Sequence, residues 1–150
     1  MKDPYLKPVI FGGLFIILLS LVFALGIFLW AILGGYLAVR IAGKITKDTI
    51  SIMDGILLGI FTGALGGCGL TVITTASFRD YDNQQLLIRT LEKNWPKEMY
   101  PIPGFKEMLP SIFLTTCALI ILITVLFGFI GGIAGVIIGK KINKKADSPN

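Results

Sequence analysis

PVIFGGLFIILLSLVFALGIFLWAILGGYLAVRIAG, residues 8–43, decides how this chain folds. No charged side chain occurs from Pro8 to Val39. Such a run belongs in hydrocarbon, where about 20 residues of helix cross a core roughly 30 Å thick. As one helix it would reach roughly 54 Å, far beyond a single crossing. Two shorter helices joined by a tight turn fit better. The turn falls near Ala24-Leu25-Gly26, where glycine supplies the backbone freedom a turn needs. Each arm is then about 16–18 residues, short for a crossing. No Pro, Asn or Asp marks the turn.

Two further stretches carry no charge, Gly55–Phe78 and Met108–Gly139. Of the 150 residues 54% are hydrophobic and only 15% charged, against about a quarter charged in a soluble domain. The expected fold is therefore all-α and integral to a membrane. It is a bundle of four transmembrane helices, at about 8–24, 26–43, 50–77 and 111–139, in a single membrane domain spanning 1–150. Pro110 suits a position just before the last helix or in its first turn. A polar loop, 79–109, connects the third and fourth membrane helices. Within it Tyr81 to Asn94 reads as a short amphipathic helix, with Leu87 and Leu91 four apart and Leu86 and Ile88 flanking. Trp95, Tyr100 and Phe105 suit the headgroup level, and Pro96, Pro101 and Pro103 prevent a continuous helix. The loop helix lies on the bilayer surface or forms a docking site for a partner.

Composition excludes several classes. The net charge is +5, but the basic residues gather at the ends of apolar stretches, as in Lys140, Lys141, Lys144 and Lys145. That pattern anchors a protein to headgroups. It offers no broad basic face, so nucleic acid is not an expected partner. The two cysteines, Cys68 and Cys117, lie inside apolar stretches, and there is no histidine. A disulfide framework and zinc sites with His ligands are excluded; no cofactor or metal is expected. The N-terminus imitates a signal peptide, with Val22-Phe23-Ala24 at a cleavage-like position, but the apolar run continues through Trp30 to Gly35. Cleavage would leave a mature chain beginning in hydrocarbon-loving sequence, so the expectation is no cleavage.

Charge counting leaves the topology open. With four helices and both termini cytoplasmic, nine Lys and Arg fall inside and five outside, the direction the positive-inside rule asks for. A rival that keeps the first stretch whole and splits the last scores eleven to three. An internal echo favours four helices. Gly34-Gly35, Ala38, Ala42 and Lys44 match Gly131-Gly132, Gly135, Gly139 and Lys141 in spacing. If the two ends are equivalent, the second and last membrane helices run parallel.

Leu29-Trp30-Ala31-Ile32-Leu33-Gly34-Gly35-Tyr36-Leu37-Ala38, followed by Asp54-Gly55-x3-Gly59-x3-Gly63, resembles the small glycine-rich four-helix membrane proteins of prokaryotes. The resemblance covers about residues 8–70. It implies that the first two helices form a hairpin and that a D-G pair opens the third, and it implies no activity. This chain departs from that pattern in lacking a polar or proline-marked turn between helices 1 and 2.

The clearest pattern is the glycine spacing. Gly55, Gly59, Gly63 and Gly67 recur every four residues, with Gly66 and Gly69 beside them. Residues four apart share a helix face. Such a stripe lets another backbone approach closely, the main source of helix association in lipid. Gly131, Gly135 and Gly139 repeat the device, with Gly128 and Gly132 adjoining, and Gly34, Ala38 and Ala42 carry a weaker version. The stripes serve packing within one chain or self-association. Asp54 is the one acid within an apolar segment, which makes it a candidate site residue. It lies near the start of its helix, too shallow for a coupling site at the midplane. It would pair with Arg40 or favour the positive end of the helix dipole. Cys68 and Cys117 read as two buried small residues, with a disulfide as the alternative.

No catalytic residues are expected, because there is no histidine, no paired acids and no nucleophile–base spacing. The leading reading is a non-enzymatic, multi-pass protein of the cytoplasmic membrane, structural or assembly in role. Its expected partners are the bilayer and either a second copy or another membrane protein. The alternative is a small transporter or channel-forming subunit, whose polar lining would rest on Thr62, Thr71, Thr74, Thr115 and Thr116.

Overall fold

The computed structural model describes residues 4–23, 26–46, 50–96 and 104–146. Among these, every regular element is helical: α1 (Leu6–Val22), α2 (Ile27–Thr46), α3 (Ile52–Phe78), α4 (Tyr81–Lys93) and α5 (Phe105–Ala146). α2, α3 and the Glu107–Lys141 part of α5 are long and apolar enough to cross a membrane. α1 is apolar but shorter, at 17 residues.

The first apolar stretch is two helices. α1 ends where Phe23 leaves helical geometry, at φ −138° and ψ 84°. The carbonyl of Phe23 then takes two donors, the Gly26 amide at 3.0 Å and the Trp30 indole Nε1 at 3.1 Å. Trp30 reaches back one turn of α2 to hold the end of α1. A Cβ at Gly26 would stand 2.5 Å from that indole nitrogen, so the glycine makes room for the staple. Ala24 and Leu25 of the expected turn lie outside the described residues.

The last stretch is one helix of 42 residues, roughly 63 Å long. It starts at Phe105, not near residue 111, and continues past 139 to Ala146. Pro110 consequently sits inside the helix rather than at its start. A proline there forfeits one i→i−4 hydrogen bond. Packing on either side of it carries the helix through: Leu109 is buried, and Phe113 stacks on Phe78 of α3 at a ring separation of 4.7 Å.

Close contacts fix the helix directions. Gly12 of α1 meets Gly34 and Ala38 of α2, and Ile16 meets Gly34, so α1 and α2 are antiparallel. Gly12 also meets Thr62, and Ile16 and Ile17 meet Gly66 and Gly69, so α1 and α3 run parallel. Gly55, Gly59, Gly63 and Gly67 of α3 meet successively earlier residues of α5, from Val136 back to Ile121. α3 and α5 are therefore antiparallel. Gly35 meets Gly132, and Val39 meets Gly135, which makes α2 and α5 parallel. α2 and α3 also touch, with α1 on one side of the pair and α5 on the other.

The core has two apolar clusters, one at each end of the bundle. Val39, Ala42, Ile50, Leu58 and Val136 form the first, and Ile16, Ala31 and Leu70 the second. Between them lies a waist where Gly35, Gly59, Gly63, Gly128 and Gly132 bring backbones together.

α4 leaves α3 through a sharp corner. The Asp80 carboxylate accepts from the Asp82 amide at 3.2 Å, capping α4. The side-chain amides of Asn83 and Gln84 donate to the Ser77 and Phe78 carbonyls at 3.0 and 2.8 Å. They thus satisfy the end of α3, which a helix leaves without intrahelical donors. Gln84, Leu87, Ile88 and Leu91 form the half-covered side of α4, whereas Leu86 is 65% exposed.

Candidate functional site

Each of the four apolar helices carries a glycine doublet, and adjacent helical residues lie about 100° apart. One member of each doublet can therefore face a different neighbour. Gly34 faces α1 and Gly35 faces α5; Gly66 faces α1 and Gly67 faces α5; Gly131 faces α2 and Gly132 faces α3. Gly12 meets α2 and α3, and Gly13 meets Leu65 of α3. Among the expected packing residues, Gly55, Gly59, Gly63 and Gly67 all turn toward α5. Gly131 and Gly135 turn toward α2, and Gly139 lies beside the Arg40 guanidinium. The structure thus directs these residues at helices of the same chain. Gly12 and Gly13 do the same for α1, where their doublet is the one sequence signal of that role.

Asp54 and Arg40 are engaged apart. Ser51 caps α3: its Oγ accepts from the Asp54 amide at 3.1 Å and donates to the Asp54 carboxylate at 2.8 Å. The Asp54 carboxylate accepts from the Ser51 hydroxyl rather than from the Ser51 amide as in a capping box, and it faces the positive helix end. The Arg40 guanidinium lies instead over the Tyr36 ring, 6.0 Å from its centroid.

Asp54 also borders a groove of about 700 Å³ between α1 and α3. Tyr5, Leu6 and Val9 form one wall, and Leu57, Leu58, Phe61, Ala64, Leu65 and Cys68 the other. Parallel helices with small Ala64 between larger neighbours leave this furrow. Its chemistry is that of an apolar slot with one carboxylate and one phenol near an end.

The five threonines sit in different surroundings. Thr71 and Thr74 donate to Cys68 and Leu70 carbonyls of their own helix, and Thr116 does so to Ile112. Thr115 is exposed, and Thr62 is buried against Gly12. The hydroxyls of Thr62 and Ser20 are buried without a hydrogen-bond partner, whereas buried Thr124 donates to Ile120 and Ile121. Both cysteines are free thiols. Cys68 is exposed on the groove rather than buried, and Cys117 is half-buried. Among the described residues no group of three His, Cys, Asp or Glu could hold a metal ion.

Comparison with protein-family models, with curated proteins and with solved structures finds no match.

Proposed function

We propose that this chain is a non-catalytic, multi-pass membrane protein of structural or assembly role, with α1, α2, α3 and α5 crossing the bilayer. The observation that carries this reading is the use of the glycine faces. Gly59 and Gly63 of α3 meet Gly128 and Thr124 backbone of α5, and Gly35 of α2 meets Gly128 and Gly132. Backbone contacts this close make a dense waist. The outward residues are large and apolar, including Phe11, Leu18, Phe61, Leu114 and Leu122, as lipid contact requires. α4, with a half-covered apolar side and charged residues outward, suits the headgroup level. The cytoplasmic membrane, with both termini inside, fits the charge distribution. With that orientation, nine of the 14 basic residues fall on the cytoplasmic side.

A transport reading draws its support from the unpartnered hydroxyls of Ser20 and Thr62. Reconstitution separates the two. Proteoliposomes containing the chain are expected to stay tight to ions and small solutes, while crosslinking in native membranes captures a defined membrane partner or a second copy. Saturable, specific flux would overturn the structural reading.

A further inference from the structure

The groove between α1 and α3 is polar at one end and apolar along the rest. Tyr5, the N-cap residue of α1, and Asp54, in the first turn of α3, both border it. Each stands at the start of its helix, and the two helices run parallel, so these groups mark one edge of the bundle. From there Leu57, Phe61, Ala64 and Leu65 lead down α3 to Cys68. Leu57 and Phe61 are 44% and 59% exposed, so the groove opens on the outside of the bundle. Ser51 donates to Oδ2 of Asp54. A carboxylate has about four acceptor sites, so Asp54 keeps room for further donors. Arg40 does not supply them, because its guanidinium lies over Tyr36.

The dimensions decide between a lipid and a helix. Asp54 and Cys68 are 14 residues apart on one helix, a rise of roughly 21 Å. That is about half of the 40–45 Å that a bilayer spans with its headgroups, the depth of one lipid. The groove's volume of about 700 Å³ over that length gives a cross-section of about 33 Å². A helix with its side chains, about 10 Å across, needs about 80 Å². The slot is therefore too thin for a transmembrane helix and suits a hydrocarbon chain.

We propose that this groove holds one phospholipid of the phosphatidylethanolamine type, its primary ammonium on the Asp54 carboxylate and one acyl chain along Leu57, Phe61 and Ala64 toward Cys68. Among the described residues no Lys or Arg lines the groove, so its charge selects a cationic group. A primary ammonium brings three N–H donors and forms a charge-assisted hydrogen bond to a carboxylate. A choline headgroup has no N–H donor, and a glycerol headgroup has no positive charge. The apolar length of the slot selects a lipid over a free amine. The proposal rests on the membrane reading above.

The test is native mass spectrometry of the full chain in mild detergent, titrated with phosphatidylethanolamine, phosphatidylcholine and phosphatidylglycerol of matched chains. One saturable phosphatidylethanolamine is expected, bound about tenfold more tightly than phosphatidylcholine. Asp54→Asn should shrink that preference to less than about twofold. Ala64→Phe, which fills the slot and leaves the carboxylate, should weaken every lipid about tenfold. In a Cys117→Ala background, bound lipid should also slow alkylation of Cys68, an exposed thiol on the groove, by N-ethylmaleimide. Equal binding of phosphatidylethanolamine and phosphatidylcholine, or tighter binding of phosphatidylglycerol, would overturn the proposal. So would a dimer in detergent that Ala64→Phe dissociates, which would give the groove to a second copy. Circular dichroism and melting of each variant separate lost binding from lost fold. If Asp54→Asn unfolds, the comparison of headgroups on the unaltered chain decides. A chain that proves water-soluble without detergent would refute the membrane reading itself, a result distinct from any of these.

Discussion

A Cβ on Gly128 would stand 2.6 Å from the carbonyl oxygen of Gly59. Neither helix can yield to it easily, because Gly128 also abuts the backbone of Gly63. Overpacking of this kind costs about 1–3 kcal/mol for small additions and more for large ones. Gly128→Ala should therefore lower the thermal midpoint in detergent, and Gly63→Leu, which drives a side chain into the Thr124 carbonyl, should abolish the monodisperse species. Leu57, 44% exposed on the groove, is the control. Leu57→Ala should leave both measurements near wild type. Equal behaviour of Gly63→Leu and Leu57→Ala would remove the waist from the account.

The hairpin between α1 and α2 depends on Trp30. Its indole and the Gly26 amide share one acceptor, the Phe23 carbonyl. Trp30→Phe keeps an apolar ring and deletes the donor, at a cost of about 1 kcal/mol. Gly26→Ala should cost more than Trp30→Phe, because its methyl displaces the whole indole. Thermal unfolding followed by circular dichroism would rank them; a harmless Gly26→Ala would contradict the staple.

The number of helical segments was legible in the sequence, and so was the parallel run of α2 and α5. The echo of Gly34-Gly35 in Gly131-Gly132 reflects a contact: Gly35 meets Gly132 itself. The α1–α2 turn was located by length, but its lock was not, because a tryptophan seven residues from its acceptor leaves no local signature. Of the two expectations for Asp54, pairing with Arg40 and favouring the positive end of its own helix, the structure keeps the second; a serine three residues before the acid offers a nearer partner than Arg40, and Ser51-x-x-Asp54 is a capping pattern. The start of α5 was set by Pro110, yet tertiary contact through Leu109 and Phe113 overrides a single missing hydrogen bond. The α1–α3 groove had no signal at all, since it is a property of how two helices lean together.

Ser51 and Asp54 act as one unit. Ser51→Ala should destabilise the chain by about 0.5–2 kcal/mol, the usual range for a lost N-cap. Asp54→Asn keeps an acceptor and loses the charge, so it should cost less. Combining Asp54→Asn with Arg40→Gln should give an additive change, because the two side chains are engaged with different neighbours. Equilibrium unfolding of the singles and the double reads the coupling directly. Coupling beyond about 0.5 kcal/mol would restore the ion pair.

The helix directions set the two ends of the bundle apart. α4 follows the C-terminus of α3, and α5 runs antiparallel to α3, so Glu92 and Lys140 stand at opposite ends. Both are exposed. In a Cys68→Ala, Cys117→Ala background, Glu92→Cys should react with a membrane-impermeant maleimide in intact cells. Lys140→Cys should react only after lysis, as the basic excess at that end favours the cytoplasm. The reverse pattern would keep the four crossings and invert the protein. Labelling of both from one side would mean that α5 does not carry the chain across between them, and the four-crossing arrangement would fall with it.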